Sequence, residues 1–140
     1  MSRIFWDTNL FIYLFESSGP LSEQVATIRG RMLARGDQLL TSALTLGEVL
    51  VKPIQRGDAQ SADYYQKLIT TMAVLIPFEE NAAAAYARIR GDRSLRPPDA
   101  IQLACAASAT VDLFITNDMR LHSKQVSGIQ FIVSLDRAPI

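Results

Sequence analysis

A chain of 140 residues has the size of one domain, and folding at this length buries roughly two-thirds of the surface that the unfolded chain exposes. Hydrophobic residues make up 49% and charged residues 20%, which excludes the disordered, fibrous and membrane classes. Fourteen basic side chains offset fourteen acidic ones, so a polyanionic ligand needs a local basic patch or bound cations.

Short β-rich runs alternate with longer helical patterns, which predicts βαβ units around a parallel sheet over a single domain, residues 1–140. In chain order, the first half is predicted to form a strand at Arg3–Trp6, helices at Leu10–Glu16 and Leu21–Ala34, a strand at Gln38–Thr41, and helices at Leu46–Gln55 and Ala59–Met72. The second half is predicted to form a strand at Val74–Phe78, helices at Asn81–Arg90 and Pro98–Ala109, a strand at Leu113–Thr116, a helix at Met119–Gln125 and a strand at Gln130–Val133. The pattern therefore indicates the α/β class.

The cysteine count and the amino terminus bear on where the protein works. A single cysteine, Cys105, cannot form an intramolecular disulfide, and its apolar surroundings favour a buried thiol in a reducing cytoplasm. Asp7 and Glu16 interrupt the apolar run near the amino terminus. We therefore expect neither a secretory signal nor a membrane span, and a protein that stays in the cytoplasm.

Four acidic residues lie at strand ends or helix starts. Asp7 follows the first predicted strand and Asp118 the fourth, while Glu48 and Asp99 lie in first helical turns. Ligands of open parallel sheets bind beyond the carboxyl ends of the strands, so we expect the four carboxylates at one edge of the sheet. Like charges about 4 Å apart repel by roughly 4 kcal/mol at an effective dielectric of about 20, so the cluster favours hard divalent cations such as Mg²⁺. Such a cation activates water and stabilises the leaving oxygen, which predicts phosphodiester hydrolysis.

The same acids also fit helix capping, because the free backbone donors and the macrodipole at a helix start favour negative charge. The run Thr45-Leu46-Gly47-Glu48 matches a capping box, in which Glu48 folds back to the Thr45 amide. Asp99 fits an acid at the second helical position after two prolines, and Asp118 fits an ordinary cap. A purely structural role is weakest for Asp7, because the two residues after it offer alternative caps. Capping and metal binding are both open interpretations at this stage.

Four motifs follow one another along the chain. They are Asp7-Thr8-Asn9 after a hydrophobic strand, the run Ser42-Ala43-Leu44-Thr45-Leu46-Gly47-Glu48-Val49-Leu50, the run Pro97-Pro98-Asp99-Ala100-Ile101-Gln102-Leu103-Ala104, and Thr116-Asn117-Asp118. This pattern resembles that of the PIN-domain nucleases, in particular the VapC toxins of bacterial toxin–antitoxin pairs. The resemblance covers nearly the whole chain, and the order and spacing of the motifs carry it.

The resemblance implies a three-layer α/β/α fold and an endoribonuclease that depends on Mg²⁺ or Mn²⁺, forms a homodimer and is inhibited by a small antitoxin. It places Asp7 and Asp99 as direct or water-mediated metal ligands, with Asp118 completing the cluster. Glu48 would orient water or belong to a second metal site. The supporting polar groups would be Thr8, Asn9, Thr116 and Asn117.

Basic residues near the acids are candidates for contacts to phosphate groups. One group precedes Asp99 and consists of Arg88, Arg90, Arg93 and Arg96; a second follows Asp118 and consists of Arg120, His122 and Lys124. A solvated helical surface is the competing interpretation. The substrate-binding candidates are Arg90, Arg93, Arg96 and Arg120.

The predicted helix Leu10–Glu16 carries more aromatic side chains than one buried face accommodates. We therefore expect some of Phe11, Tyr13 and Phe15 to be exposed at a dimer or antitoxin interface, where aromatic residues are enriched.

Other functional classes fit the sequence less well. A response-regulator receiver needs an acidic pair at the first strand and a later lysine, and a haloacid-dehalogenase-type phosphatase needs a second aspartate where Asn9 stands. A PIN-like domain that only binds RNA or a partner would be expected to have lost some of the four acids. A housekeeping RNA-processing nuclease is the alternative within the same enzyme class.

Overall fold

The protein is described by a computed structural model that covers residues 1–16 and 18–140. The described residues form five strands: β1 Arg3–Trp6, β2 Gln38–Ser42, β3 Val74–Ile76, β4 Val111–Ile115 and β5 Ile129–Val133. They form six α-helices: α1 Thr8–Glu16, α2 Pro20–Arg35, α3 Ala43–Gln55, α4 Ala59–Met72, α5 Glu80–Ile89 and α6 Pro97–Ala109. Two short 3₁₀ helices lie at Met119–Leu121 and Leu135–Arg137.

All strand pairs of the five-stranded sheet are parallel, in the order β3-β2-β1-β4-β5. The chain builds the sheet from β1 through β2 to β3 and then returns to place β4 on the other side of β1. This change of direction makes the boundary between β1 and β4 the topological switch point, and a ligand crevice is expected beyond the carboxyl ends of these two strands.

Alternating side chains of β1 face two hydrophobic cores. Ile4 and Trp6 are buried on one face of the sheet with residues of α1 to α4. Phe5 is buried on the other face, where its ring stacks on Phe114 at a centroid distance of 5.0 Å beneath α5 and α6. The sheet therefore lies between two helical layers, and the predicted α/β/α fold is confirmed.

The sequence located the elements well but misplaced several of their ends. The third strand ends at Ile76 rather than Phe78, because Pro77 has no amide hydrogen for the ladder. The predicted helix Met119–Gln125 was wrong, since only Met119–Leu121 is helical, as one 3₁₀ turn. Leu121 is the one buried side chain of that turn, and a single apolar residue does not provide the apolar stripe that a longer helix needs.

Of the α1 aromatic residues expected at an interface, Phe11 is not exposed, and an interface role of the partly exposed Tyr13 and Phe15 stays a prediction. Phe11 is fully buried, and its ring packs on Trp6 at a centroid distance of 5.2 Å. Phe15 is half-buried and stacks on Tyr65 of α4 at 5.1 Å, and Tyr13 packs against the same core. Tyr65 of α4 thus covers Phe15 near the end of α1.

Among the described residues, no helix has the length and apolar character needed to cross a membrane.

Candidate active site

Asp7 is held at the switch point by hydrogen bonds to the end of β4 and to the start of α1. Its backbone amide donates to the Ile115 carbonyl at the end of β4, at 3.1 Å. Its Oδ1 accepts from the Thr8 amide at 2.8 Å, and its Oδ2 accepts from the Thr116 hydroxyl at 2.7 Å. A capping side chain serves the second or third amide of a helix, whereas this carboxylate bonds the first amide of α1. Both carboxylate oxygens are therefore held in place beside the cavity.

Glu48 lies in α3 and is joined to α1 by a short hydrogen bond. Its Oε1 accepts from the Thr8 hydroxyl at 2.6 Å. The capping-box interpretation was wrong, because α3 begins one turn earlier, at Ala43, and Ser42 is its N-cap, with Oγ accepting from the Thr45 amide at 3.3 Å. The Glu48 carboxylate therefore points toward Thr8 at the start of α1, and not toward the start of α3.

Asp99 and Asp118 share a contact with one arginine. Arg120 donates through Nε to Asp118 Oδ1 at 2.9 Å and through Nη2 to Asp118 Oδ2. The same Nη2 lies 3.4 Å from Asp99 Oδ2, and Arg96 Nε lies 3.8 Å from that oxygen. Asp118 also caps the 3₁₀ turn through the Arg120 amide, at 3.1 Å, so its structural interpretation is confirmed. Asp99 is the third residue of α6 rather than the second.

The four acids line one cavity of about 520 Å³ beyond the carboxyl ends of β1 and β4. Thr8 and Asn9 line it beside Asp7, and Ile12 and Val49 give it an apolar wall between α1 and α3. Three basic side chains complete its rim, namely Lys52, Arg96 and Arg120. Glu16 at the end of α1 also lines the cavity, so five carboxylates and three basic side chains face the same space.

Electrostatic interactions in the cavity differ for the two strand-end aspartates. Burial raises the pKa of Asp7 above its ordinary value, and the charges of Glu48 and Asp99 raise it further, against the hydrogen bonds from Thr116 and Thr8. The pKa of Asp118 is instead lowered, chiefly by its hydrogen bonds to Arg120. The negative charge of Asp7 is therefore poorly compensated, whereas that of Asp118 is neutralised by Arg120. A cation is favoured more strongly beside Asp7 than beside Asp118.

The donor chemistry of the cavity suits a hard divalent cation. Carboxylate oxygens are the ligands that Mg²⁺ prefers, and this ion keeps several waters when one or two carboxylates hold it. Within residues 1–16 and 18–140, no three acidic, histidine or cysteine side chains stand close enough together to form a ready-made ligand set. A cation here would therefore be held by few side chains and completed by water.

Other predicted residues lie outside the cavity lining. Thr116 does not line the cavity but donates a hydrogen bond to Asp7. Asn117 Oδ1 accepts from the Leu135 amide at 3.0 Å. Arg90 and Arg93 are absent from the described lining, where Arg96 and Arg120 are present. His122 Nε2 lies 2.7 Å from the Thr116 carbonyl, which only accepts, so this ring donates a structural hydrogen bond.

Sequence reasoning missed three residues that line the cavity, namely Glu16, Lys52 and Gln102. Gln102 is buried in α6 and donates to the hydroxyls of Thr8 and Thr45, both at 2.9 Å. Lys52 lies one turn after Glu48 on α3 and lines the cavity. The spacing of Glu48 and Lys52, four residues apart on a helix, was the available signal for the lysine. A polar residue at a core position was the signal for Gln102.

Comparison with known proteins assigns the family. The family model described as the PIN domain matches residues 4–126, and the chain belongs to this family. A search among curated protein sequences gives no significant match.

Solved structures share the fold at low sequence identity. The crystal structure of VapBC2 from Rickettsia felis, bound to a DNA fragment from their promoter, contains a chain with 12% identity and a TM-score of 0.76, covering 94% of this chain and 98% of that one. For the DNA-bound VapBC from Salmonella typhimurium the identity is 17%, the TM-score 0.69 and the coverage 96% and 99%. For a toxin-antitoxin complex from Klebsiella pneumoniae the identity is 22% and the TM-score 0.64, and the match covers 90% of this chain and 94% of that one.

Proposed function

We propose that this PIN domain is a Mg²⁺- or Mn²⁺-dependent endoribonuclease and the toxin of a VapBC-type toxin–antitoxin pair, working in the cytoplasm. The observation that carries the proposal is the convergence of Asp7, Glu48, Asp99 and Asp118 on one cavity at the topological switch point. Four acids that merely began helices would have no reason to face the same space.

In the proposed reaction, Asp7 and Asp99 would hold the cation, and Glu48 and Asp118 would complete the acidic lining. The cation, when bound, lowers the pKa of a water molecule and neutralises charge on the phosphate. The protein supplies the rest of the site. Thr116 and the Thr8 amide fix the Asp7 carboxylate, and the basic rim is placed to bind the phosphates on either side of the scissile bond.

The test of this reaction is incubation of the purified protein with total RNA, with Mg²⁺ or with EDTA, followed by mapping of the new ends. We expect cleavage only with the divalent ion, and products with 5′-phosphate and 3′-hydroxyl ends. Asp7→Asn should abolish cleavage, whereas Asp63→Asn, in an exposed ion pair with Lys67 on α4, should leave it unchanged. Full activity in EDTA, or cyclic 2′,3′-phosphate ends, would exclude the metal mechanism.

The partner assignments rest on the structural neighbours, two of which are described as VapBC and one as a toxin-antitoxin complex. We expect induction of this protein alone to arrest growth and co-expression of a short neighbouring reading frame to relieve the arrest. A homodimer is expected by light scattering. Growth that continues normally while the purified protein cleaves RNA would instead favour an RNA-processing nuclease.

A further inference from the structure

A buried chain of side-chain hydrogen bonds connects the core to Glu48. The chain joins Thr41 and Thr45 to the amide of Gln102, and this amide to the Thr8 hydroxyl, which bonds Glu48. Thr8, Thr41, Thr45 and Gln102 are all at least nine-tenths buried. Such buried polar groups find most of their hydrogen-bond partners among one another.

The directions of these bonds follow from the groups that only accept. Thr41 is the donor in two contacts of 2.8 Å, so its single hydrogen is shared between the Trp6 carbonyl and Thr45 Oγ1. At the other end the Thr8 hydroxyl donates its hydrogen to Glu48 Oε1. The Thr8 oxygen that faces Gln102 therefore has only its acceptor side free, and the Thr45 hydrogen can be shared with Thr8, 3.2 Å away.

Only one orientation of the Gln102 amide satisfies this pattern. Its NH₂ group faces Thr8 and Thr45, because a carbonyl there would meet the Thr8 oxygen with no hydrogen between them. The carbonyl of Gln102 then faces the Ser42 hydroxyl, which donates to it. Ser42 is the N-cap of α3, so the amide is anchored by the helix that carries Glu48.

We propose that Gln102 is a positioning residue for the nuclease reaction: by filling the acceptor site of the Thr8 hydroxyl, it commits the Thr8 hydrogen to Glu48 Oε1. This inference rests on the proposed function. Glu48 Oε1 is thereby fixed, and Oε2 is the oxygen left to serve the cation or a water molecule in the cavity. Without Gln102, the Thr8 hydroxyl can rotate toward other acceptors such as Thr45, 3.2 Å away, and Glu48 loses its fixed orientation.

The test is a double-mutant cycle between residues 102 and 8. Gln102→Met keeps the approximate volume and removes both N–H donors; it should lower kcat about 10- to 100-fold, as loss of a group that orients a ligand does, and change KM less than about threefold. The same reduction is expected in a Thr8→Ser background, which keeps the hydroxyl. In a Thr8→Val background, where the hydroxyl is absent, Gln102→Met should lower kcat by less than about threefold.

A purely structural role of Gln102 predicts a different outcome, namely an equal reduction in all three backgrounds. That result would overturn the proposal. Gly128→Ala, which perturbs a loop outside the described cavity lining, serves as the control for general destabilisation and should leave kcat unchanged. If Gln102→Met does not fold, Gln102→Leu replaces it, because it is smaller and also has no hydrogen to donate.

The cycle also separates this inference from the function on which it rests. A wild-type protein that cleaves RNA with Mg²⁺ while the cycle shows no coupling refutes the role of Gln102 alone. A wild-type protein that cleaves no RNA with either Mg²⁺ or Mn²⁺ refutes the proposed nuclease and this inference together.

Discussion

Asp99 is the residue at which helix capping and metal binding predict different behaviour. As the third residue of α6 it lies in the first turn, where removal of a charge costs about 0.3 to 1 kcal/mol. Its carboxylate also faces Arg120 and Arg96 at 3.4 and 3.8 Å, so Asp99→Asn does not simply relieve repulsion from the other acids. In EDTA we therefore expect a stability loss of less than about 1 kcal/mol, since the ion pairs are partly exposed.

Function should respond much more strongly to the same substitution. If Asp99 binds the cation, Asp99→Asn reduces cleavage at least about 100-fold, and millimolar Mg²⁺ no longer raises the melting temperature. Thermal unfolding in EDTA and in Mg²⁺, paired with a cleavage assay, measures both effects. A variant that cleaves at close to the wild-type rate would exclude Asp99 from the active site.

Individual acids could be found from sequence because their placement is local. Asp7 and Asp118 follow apolar strands, and a parallel sheet brings such positions to one edge whatever the rest of the chain does. Gln102 could not be identified in this way, because it lies between Ile101 and Leu103 in an apolar run that predicts only a buried helix. Its partners come from α1 and α3, and only the packing of three helices shows that the amide is used.

At the scale of the elements, the turn before β5 depends on one glycine. Gly128 has φ +100°, and a Cβ there would lie 2.5 Å from the Ala107 carbonyl oxygen of α6. Gly128→Ala should therefore destabilise the protein by about 1 to 3 kcal/mol. Gly30 in the middle of α2 has open space around its Cβ position, so Gly30→Ala should instead stabilise by about 0.5 to 1 kcal/mol. Chemical denaturation measures the free energy of unfolding of both variants. A change of the same sign in the two would contradict this prediction.

The loop between α5 and α6 is tied to the segment after β4 through Asp92. Hydrogen bonds from Lys124, at 2.7 Å, and from Ser94 lower the pKa of Asp92 from 3.8 to about 2. Because the folded-state pKa lies below the unfolded one, this contribution to stability is present above pH 3.8 and is lost as the pH falls toward about 2.

Comparison of wild type with Asp92→Asn tests this connection. The difference in melting temperature between the two proteins should be present at pH 6 and shrink steadily between pH 3.8 and 2. The effect is expected to be small, because this ion pair is exposed to solvent. A difference that stays constant over the whole acid range would mean that the Asp92 carboxylate does not stabilise the loop through its charge.

A helix was predictable where an apolar stripe was present, but its first residue was predictable only where a single capping residue was available. The helix Ala59–Met72 was predicted at its observed bounds, because Asp58 caps it by accepting from the Ser61 amide at 3.0 Å. For α3, a second capping pattern at Thr45 competed with the true N-cap, Ser42, and the sequence alone favoured the wrong one. Both Ser42 and Thr45 satisfy the sequence preference for an N-cap. The Thr45 hydroxyl is used instead in buried hydrogen bonds to Thr8 of α1 and Gln102 of α6, which leaves Ser42 as the N-cap.

For the molecule as a whole, the alternation of strands and helices was sufficient to predict the fold class, but charge was not informative about the substrate. The net charge is zero, so attraction of RNA has to come from the basic rim of the cavity. That rim contains Arg96 and Arg120, whereas Arg90 and Arg93 lie away from it although they are close in sequence. The structure thus divides the four candidate arginines into two pairs of equal charge.

These two pairs give a matched experiment on RNA binding, because Arg96→Gln with Arg120→Gln and Arg90→Gln with Arg93→Gln each remove two positive charges from the molecule. Each phosphate contact to single-stranded RNA contributes about 0.7 to the slope of log affinity against log salt. The first double variant should therefore lower that slope by about 1.4, and the second should leave it unchanged. Binding is measured in EDTA across a salt series, so that metal-dependent cleavage does not interfere. Equal slopes for both variants would mean that the cavity rim has no special part in binding RNA.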